Sequence, residues 1–212
     1  EFRRVLFRSR GIHISKTMVA WNHLPSEKNP EEAGMKGDAF VGDLYVQFES
    51  ELKKQVERLM NGGMAKEEAM REAPLMKEAV ELLRKWEAED PETRYVWEMM
   101  NDWVYKGFDK TYARMGVDFD KIYHESDTYL SGKDIVQEGL KKGIFFKKDD
   151  GSVWVNLTAS GLDEKLLIRS DGTSVYMTQD LGTAQMRADD FDPSRLIYVV
   201  GNEQNYHFDV LK

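Results

Sequence analysis

The 212-residue sequence contains no cysteine, which excludes disulfides and thiolate metal sites and leaves a reducing compartment permitted. It has no apolar run near the roughly 20 residues that span a bilayer, and no charged, apolar, small-residue leader pattern. No membrane association and a cytoplasmic setting are therefore expected. Bases are in deficit: 30 Lys and Arg stand against 38 Asp and Glu, a formal charge of -8. That balance argues against a free-standing nucleic-acid binder, so the basic footprint for any RNA partner is expected elsewhere. A G-x-S-x-G elbow is missing, and "GDLYVQF" and "GKDIVQEG" lack the glycine spacing and the Lys-Ser/Thr pair of a phosphate-binding loop. The four histidines are scattered with no partner at ligand spacing, so no metal site is expected. His13, His23 and His124 read as structural.

What is present suits a globular chain: 41% hydrophobic residues, with five Trp and ten Phe, can fill a core. Pro25 closes a short helical pattern that runs from Gly11 through Ile14, Met18 and Trp21. After a polar loop at 26–38, Val41, Leu44, Tyr45, Phe48, Leu52, Val56 and Met60 recur at steps of three and four and predict a long amphipathic helix. "NGG" at 61–63 stops it. Pro74 should break the helical stretch 64–90 into a kinked pair. Asp90 as N-cap, Pro91 at the first helical position and Gly116 as terminator bracket another long helix, with Trp97, Met100, Val104, Phe108 and Tyr112 on its core face.

After Val117 the texture changes. "DKIYHES" reads as a strand, "SGKDIVQEGLKKG" as a helix, "IFFKK" and "VWVNL" as a hairpin, "EKLLIRS" as a strand, "SVYMTQDLGTAQMRADDF" as a helix, "RLIYVVG" as a strand and "NEQNYHFDVL" as the start of a helix. Alternating strands and helices predict a parallel sheet with crossover helices. The expected division is 10–37 and 117–212 in an α/β core, with 38–116 a mainly helical insertion. Residues 1–9 are expected to be non-native, because "RRVLFRS" is what the adapter codons AGA CGT GTG CTC TTC CGA TCT encode, so native coding would begin near Arg10. The end at "FDVLK" has no cap or turn signal and reads as the interior of a longer protein.

In an open parallel sheet, ligands bind outside the carboxyl ends of the strands. "KLLI" runs into "RSDGTS" and "LIYVV" into "GNEQNYH", so both polar clusters should face one crevice. Asp171 and Gly172 form a turn, and Thr173 or Ser174 can cap the next helix, whose amides would then favour an anionic group; a turn and a cap alone is an equal reading. Tyr176 and Asp180, four apart, share a helix face. A ring beside a carboxylate suits a flat cation such as a guanidinium, although a Tyr packed on the sheet and an Asp paired with Arg187 or a lysine fits the same residues. Gly201 lets backbone approach a ligand. Gln204 and His207 stand in the first turn of the following helix, where His207 either reaches a ribose or phosphate or is a satisfied structural histidine.

"GLDEKLLIRSDGTSVYMTQDLGTAQMR" followed by "IYVVGNEQNYHF" resembles the catalytic core of the arginyl-tRNA synthetases, which are class I aminoacyl-tRNA synthetases. The resemblance extends back through "WEMMNDWVYKGFDKTYARMGVDFDKIYHESDTYLSGKDIVQEGL" to "RGIHISKTMVAW", so it covers Arg10 to Lys212. It implies a Rossmann-like, HUP-type core with an inserted α-helical subdomain. It also implies ATP-dependent activation of L-arginine to arginyl-adenylate, with Mg2+ accompanying ATP, and transfer of arginine to tRNA(Arg). By the same resemblance Tyr176, Asp180 and Gln204 line the arginine pocket, Gly201 and His207 lie towards the adenosine, and the parent is a monomer.

Two signatures of the class are absent: the HIGH-type and KMSKS-type motifs that stabilise the ATP phosphates. "HISK" at 13–16 aligns with a different family segment. No catalytic residue is therefore assigned, tRNA contacts are expected mainly in missing domains, and the chain alone is expected to be inactive. The competing readings are a non-catalytic binding module on a synthetase core and a different class I synthetase, such as one for cysteine; the latter gives no reason for Tyr176 and Asp180 and normally needs a metal-binding thiolate.

Overall fold

A computed structural model describes residues 3–7, 9–23 and 27–212; Pro25, the expected helix stop, lies outside them. Two compact units are present: Ser9–Asp118, and Phe119–Lys212 joined by the described residues ahead of Ser9.

The first unit is helical, with α1 (Ile12–His23), α2 (Gly37–Asn61), α3 (Lys66–Glu72), α4 (Pro74–Glu87) and α5 (Pro91–Met115). Of the apolar stripe predicted on α2, Val41, Leu44, Phe48, Leu52 and Val56 are buried, Tyr45 is half-buried and Met60, at the helix end, is exposed; with Phe40 the buried residues pack with Met18, Val19 and Ala20 of α1, Leu75 and Ala79 of α4 and Met100 of α5. Each large side chain removed from water stabilises the unit by about 1.5–3 kcal/mol. Pro74, at the start of α4, divides the 64–90 stretch because it has no N–H to continue the preceding ladder. Gly116 ends α5 in the left-handed region at φ 66°. The sequence division placed 10–37 with the α/β core. In the structure α1 belongs to the helical unit, because its buried face fits the apolar faces of α2 and α4.

Asp90 caps α5 as expected, accepting from the Thr93 amide at 2.9 Å and the Thr93 hydroxyl at 2.7 Å. These donors hold its carboxyl below the ordinary aspartate value. A depressed folded-state value contributes stability that is present above the unfolded value and lost as pH falls through the folded one. Asp90→Ala should therefore lower the melting temperature near neutral pH, and the gap from wild type should narrow progressively as pH falls below the ordinary aspartate value; circular dichroism melts at neutral and at acid pH check this.

The second unit holds β1 (Arg4–Phe7), β2 (Lys121–His124), α6 (Glu125–Lys141), β3 (Phe145–Lys147), β4 (Val153–Val155), β5 (Lys165–Ile168), α7 (Tyr176–Phe191) and α8 (Asn205–Leu211). β1 pairs parallel with β2, and Phe7 is buried edge-on against His124, with ring centroids 5.8 Å apart. Residues Arg4–Phe7 of the segment read as non-native thus form a strand. Any extended apolar segment can satisfy an open strand edge, so this pairing is compatible with an adapter origin.

The remaining strands depart from the expected parallel sheet. β3, β4 and β5 form an antiparallel sheet in that order, and residues 195–200 form no strand. Strands close in sequence can pair antiparallel through short connections, whereas a parallel pair needs a crossover. "RLIYVV" has the composition of a strand flanked on both sides, but no described residue pairs with it, and Ile197 and Val199 are 76% and 94% exposed. The unit's core is Val136, Val153, Leu167, Ile168 and Met177. α6 and α7 cross in close backbone contact where Gly132 and Gly182 meet Thr178 and Thr128.

Candidate functional site

The site is built on the passage from β5 into α7. The backbone turns with Gly172 at φ 82°; the Gly172 amide donates to the Arg169 carbonyl and the Arg169 amide to the Thr173 carbonyl, both at 2.9 Å. Asp171 Oδ1 accepts from the Thr173 amide at 2.9 Å and its hydroxyl at 2.7 Å. The expected turn is present, but neither expected cap is used. Val175 occupies the N-cap position and no side chain caps α7: Thr173 and Ser174 precede that position, the Thr173 hydroxyl donates to Asp171 and the Ser174 backbone is bridged to Ile168. The first amides of α7 thus keep the donor character of an uncapped helix start.

Tyr176 opens α7 and is 46% exposed, whereas Asp180, one turn later, is 7% exposed. A buried carboxylate needs a partner, and Asp180 has one in His207 of α8: Nε2 lies 2.7 Å from Oδ2. The alternative pairing with Arg187 is not what forms, since that guanidinium lies over the rings of Tyr123 and Tyr198, at 5.5 and 5.4 Å from their centroids. Gln204 is half-buried at the end of a short 3-10 turn, Asn202–Gln204, and its side chain makes no hydrogen bond among the described residues. Gly201 is exposed with φ −69°, a conformation open to any residue, and a Cβ there would meet only the Glu203 carboxylate. Its glycine identity therefore has no conformational cause here. The structure joins Asp180 to His207 directly, and Tyr176 stands one turn before Asp180 on α7.

Several polar residues of α7 belong to packing instead of a ligand. Thr178 is fully buried and donates to the Leu167 carbonyl, and Thr183 donates to the Gln179 carbonyl at 2.9 Å. Such local bonds let hydroxyls be buried without penalty. The outlying histidines keep the structural roles expected of them: His13 meets the Tyr45 hydroxyl at 3.1 Å and His23 meets Glu78 at 2.9 Å. Burial, then Lys16, holds the His13 ring below its ordinary value.

The contact missed from sequence is Asp180 with His207, 27 residues apart, a separation that carries no periodic signal. A cavity of about 730 Å³ lies against Leu196, Ile197, Tyr198, Val200, Phe208 and Leu211; none of the five predicted site residues lines it. Among the described residues, no group of three or more His, Asp or Glu could hold a metal ion, and no helix is long and apolar enough to cross a membrane.

The profile of the family described as tRNA synthetases class I (R), catalytic domain matches residues 40–211. Arginine-tRNA ligases of Bacteroides thetaiotaomicron and Bacteroides fragilis are each 62% identical over 206 residues, covering 97% of this chain and 34% of the relative. The chain thus spans about a third of the length of these curated relatives. Among solved structures, arginyl-tRNA synthetase from Plasmodium falciparum matches with a TM-score of 0.69 at 15% identity, over 99% of this chain and 32% of that one. The Thermus thermophilus enzyme matches with a TM-score of 0.51 at 19% identity, over 85% of this chain and 28% of that one; both likenesses concern the fold alone. The chain therefore belongs to the arginine-type class I tRNA synthetases, within their catalytic domain.

Proposed function

We propose that this sequence is the arginine-recognising part of an arginine-tRNA ligase, which activates L-arginine with ATP and transfers it to tRNA(Arg) in the cytoplasm. The observation that carries the reading is the buried Asp180 carboxylate on α7, one turn from the uncapped helix start and from the exposed ring of Tyr176. A guanidinium offers a planar fork of N–H donors that a carboxylate accepts, and its flat face stacks on an aromatic ring. Gln204 supplies a further amide to the same pocket, and Gly201 lies towards the nucleotide. Consistent with this, the Bacteroides relatives bear the name arginine-tRNA ligase.

In the proposed reaction the arginine carboxylate attacks the α-phosphate of ATP, giving arginyl-adenylate and pyrophosphate; the terminal adenosine of the tRNA then takes the arginyl group and AMP leaves. Among the described residues no group of three or more His, Asp or Glu could hold a metal ion, so Mg2+ would accompany ATP on its phosphates, and no step of this chain is routed through it. The proposed architecture is a Rossmann-like core carrying a helical insertion, in a monomeric parent whose tRNA contacts lie mainly in other domains.

The purified chain should show no arginine-dependent ATP–pyrophosphate exchange, because it lacks the two phosphate-stabilising signatures, and the full-length parent should show exchange with arginine and with no other amino acid. Exchange by the parent with a different amino acid would refute the substrate. Arginine-dependent exchange by the chain alone would refute the need for the missing signatures.

A further inference from the structure

Within the arginine-recognition reading on which this inference rests, we propose that His207 is a positioning residue for the amino-acid substrate and not a nucleotide contact: its imidazole fixes the Asp180 carboxylate that receives the guanidinium. The family resemblance put His207 towards the adenosine. The geometry points to the arginine side. Nε2 is 2.7 Å from Asp180 Oδ2, with the His207 side chain 21% and the Asp180 side chain 8% exposed. An ionised carboxylate only accepts, so Nε2 carries the hydrogen and is committed to Oδ2. That nitrogen is then not available to a ribose hydroxyl or a phosphate while the pair is intact.

The pair suits positioning in three respects. Asp180 and His207 come from different elements, α7 and α8, so the hydrogen bond ties the carboxylate to a second backbone. The imidazole is itself held edge-on against Phe208, with centroids 5.4 Å apart at 82°, and the Phe208 ring lies 4.7 Å from that of Tyr198. His207 engages Oδ2, and each carboxylate oxygen carries two acceptor lone pairs, so the guanidinium can be received on a carboxylate whose plane this hydrogen bond helps to set. A fork of donors needs that plane defined, because two parallel N–H···O bonds are lost if it turns.

The test is made in the full-length parent, by steady-state pyrophosphate exchange with arginine and ATP varied separately for wild type, His207→Ala, His207→Gln and Asp180→Ala. Losing a hydrogen bond to a charged group costs about 10- to 100-fold, so His207→Ala should raise the arginine KM by roughly that factor with the ATP KM unchanged. His207→Gln, whose amide keeps a donor near the Nε2 position, should restore most of the loss; a role in packing alone would gain nothing from the restored donor. A rise in ATP KM in place of arginine KM, an equal rise in both, or a glutamine variant no better than alanine would overturn the proposal. Asp180→Ala separates the two levels. If it raises the arginine KM while His207→Ala does not, this inference falls and the arginine reading stands. If Asp180→Ala leaves the arginine KM unchanged, the reading falls and takes this inference with it.

Discussion

Gly132→Ala and Gly182→Ala should each lower the melting temperature, although alanine is the better helix former. Both glycines lie inside helices, α6 and α7, where the exchange would ordinarily gain about 1 kcal/mol. Packing reverses the sign. A Cβ on Gly132 would come within 3.0 Å of the Thr178 carbonyl oxygen and carbon, and one on Gly182 within 3.0 Å of the Thr128 carbonyl oxygen and the Gly132 amide nitrogen. These are backbone atoms of α6 and α7, so relief requires the two helices to separate, and that opens contacts of the buried Thr128, Thr178 and Val136. Overpacking of this kind costs roughly 1–3 kcal/mol or more, and in a chain of this size each kcal/mol moves the midpoint by roughly 2–4 °C. Gly42→Ala in α2 is the control: a Cβ there meets nothing within 4 Å, so it should raise the midpoint. Melts of the three variants check the account, and a stabilised Gly132→Ala or Gly182→Ala would show that the close crossing does not form.

Asp180→Ala in the full-length parent should cost far more than any surface change, and on one substrate only. The carboxylate is 7% exposed, so its attraction for a guanidinium is little screened by water. Truncating one partner of a buried, hydrogen-bonded charge pair costs roughly 2–5 kcal/mol, which is about 30- to several-thousand-fold in arginine affinity. The variant also removes the partner of His207, but no contact through which ATP is read in this account. Its effect should therefore fall on the arginine KM and leave the ATP KM almost unmoved.

The features legible in the sequence were those with a local cause. The buried face of α2 follows from apolar residues three and four apart, and the break at Pro74 from a missing N–H. The ends of α5 follow from the side chain of Asp90 and the φ freedom of Gly116. Tyr176 and Asp180 could be placed on one face because four residues are about one helical turn. The failures have a common physical source in partners distant along the chain. "RLIYVV" has strand composition, but a strand exists only with a neighbour, and here it has none among the described residues. β5 was expected in a parallel sheet and pairs antiparallel with β4 instead, a choice that alternation in sequence does not encode. α1 lies in the helical unit because of which apolar faces fit, not because of where it falls in the order of elements. The cap on α7 was misread because the helix takes Val175 as its N-cap, beyond Thr173 and Ser174, with the Thr173 hydroxyl given to Asp171 and the Ser174 backbone bridged to Ile168. His207 was recognisable as a candidate, but its partner was not, since the pairing depends on how α8 meets α7.

The central claim is that the α7 face bearing Asp180 receives the guanidinium of arginine. The most direct measurement is the pair of Michaelis constants, for arginine and for ATP, of Asp180→Ala against wild type in the full-length parent. The account predicts a rise of at least about 30-fold for arginine with ATP unchanged; equal changes in the two constants, or a change confined to ATP, would contradict it.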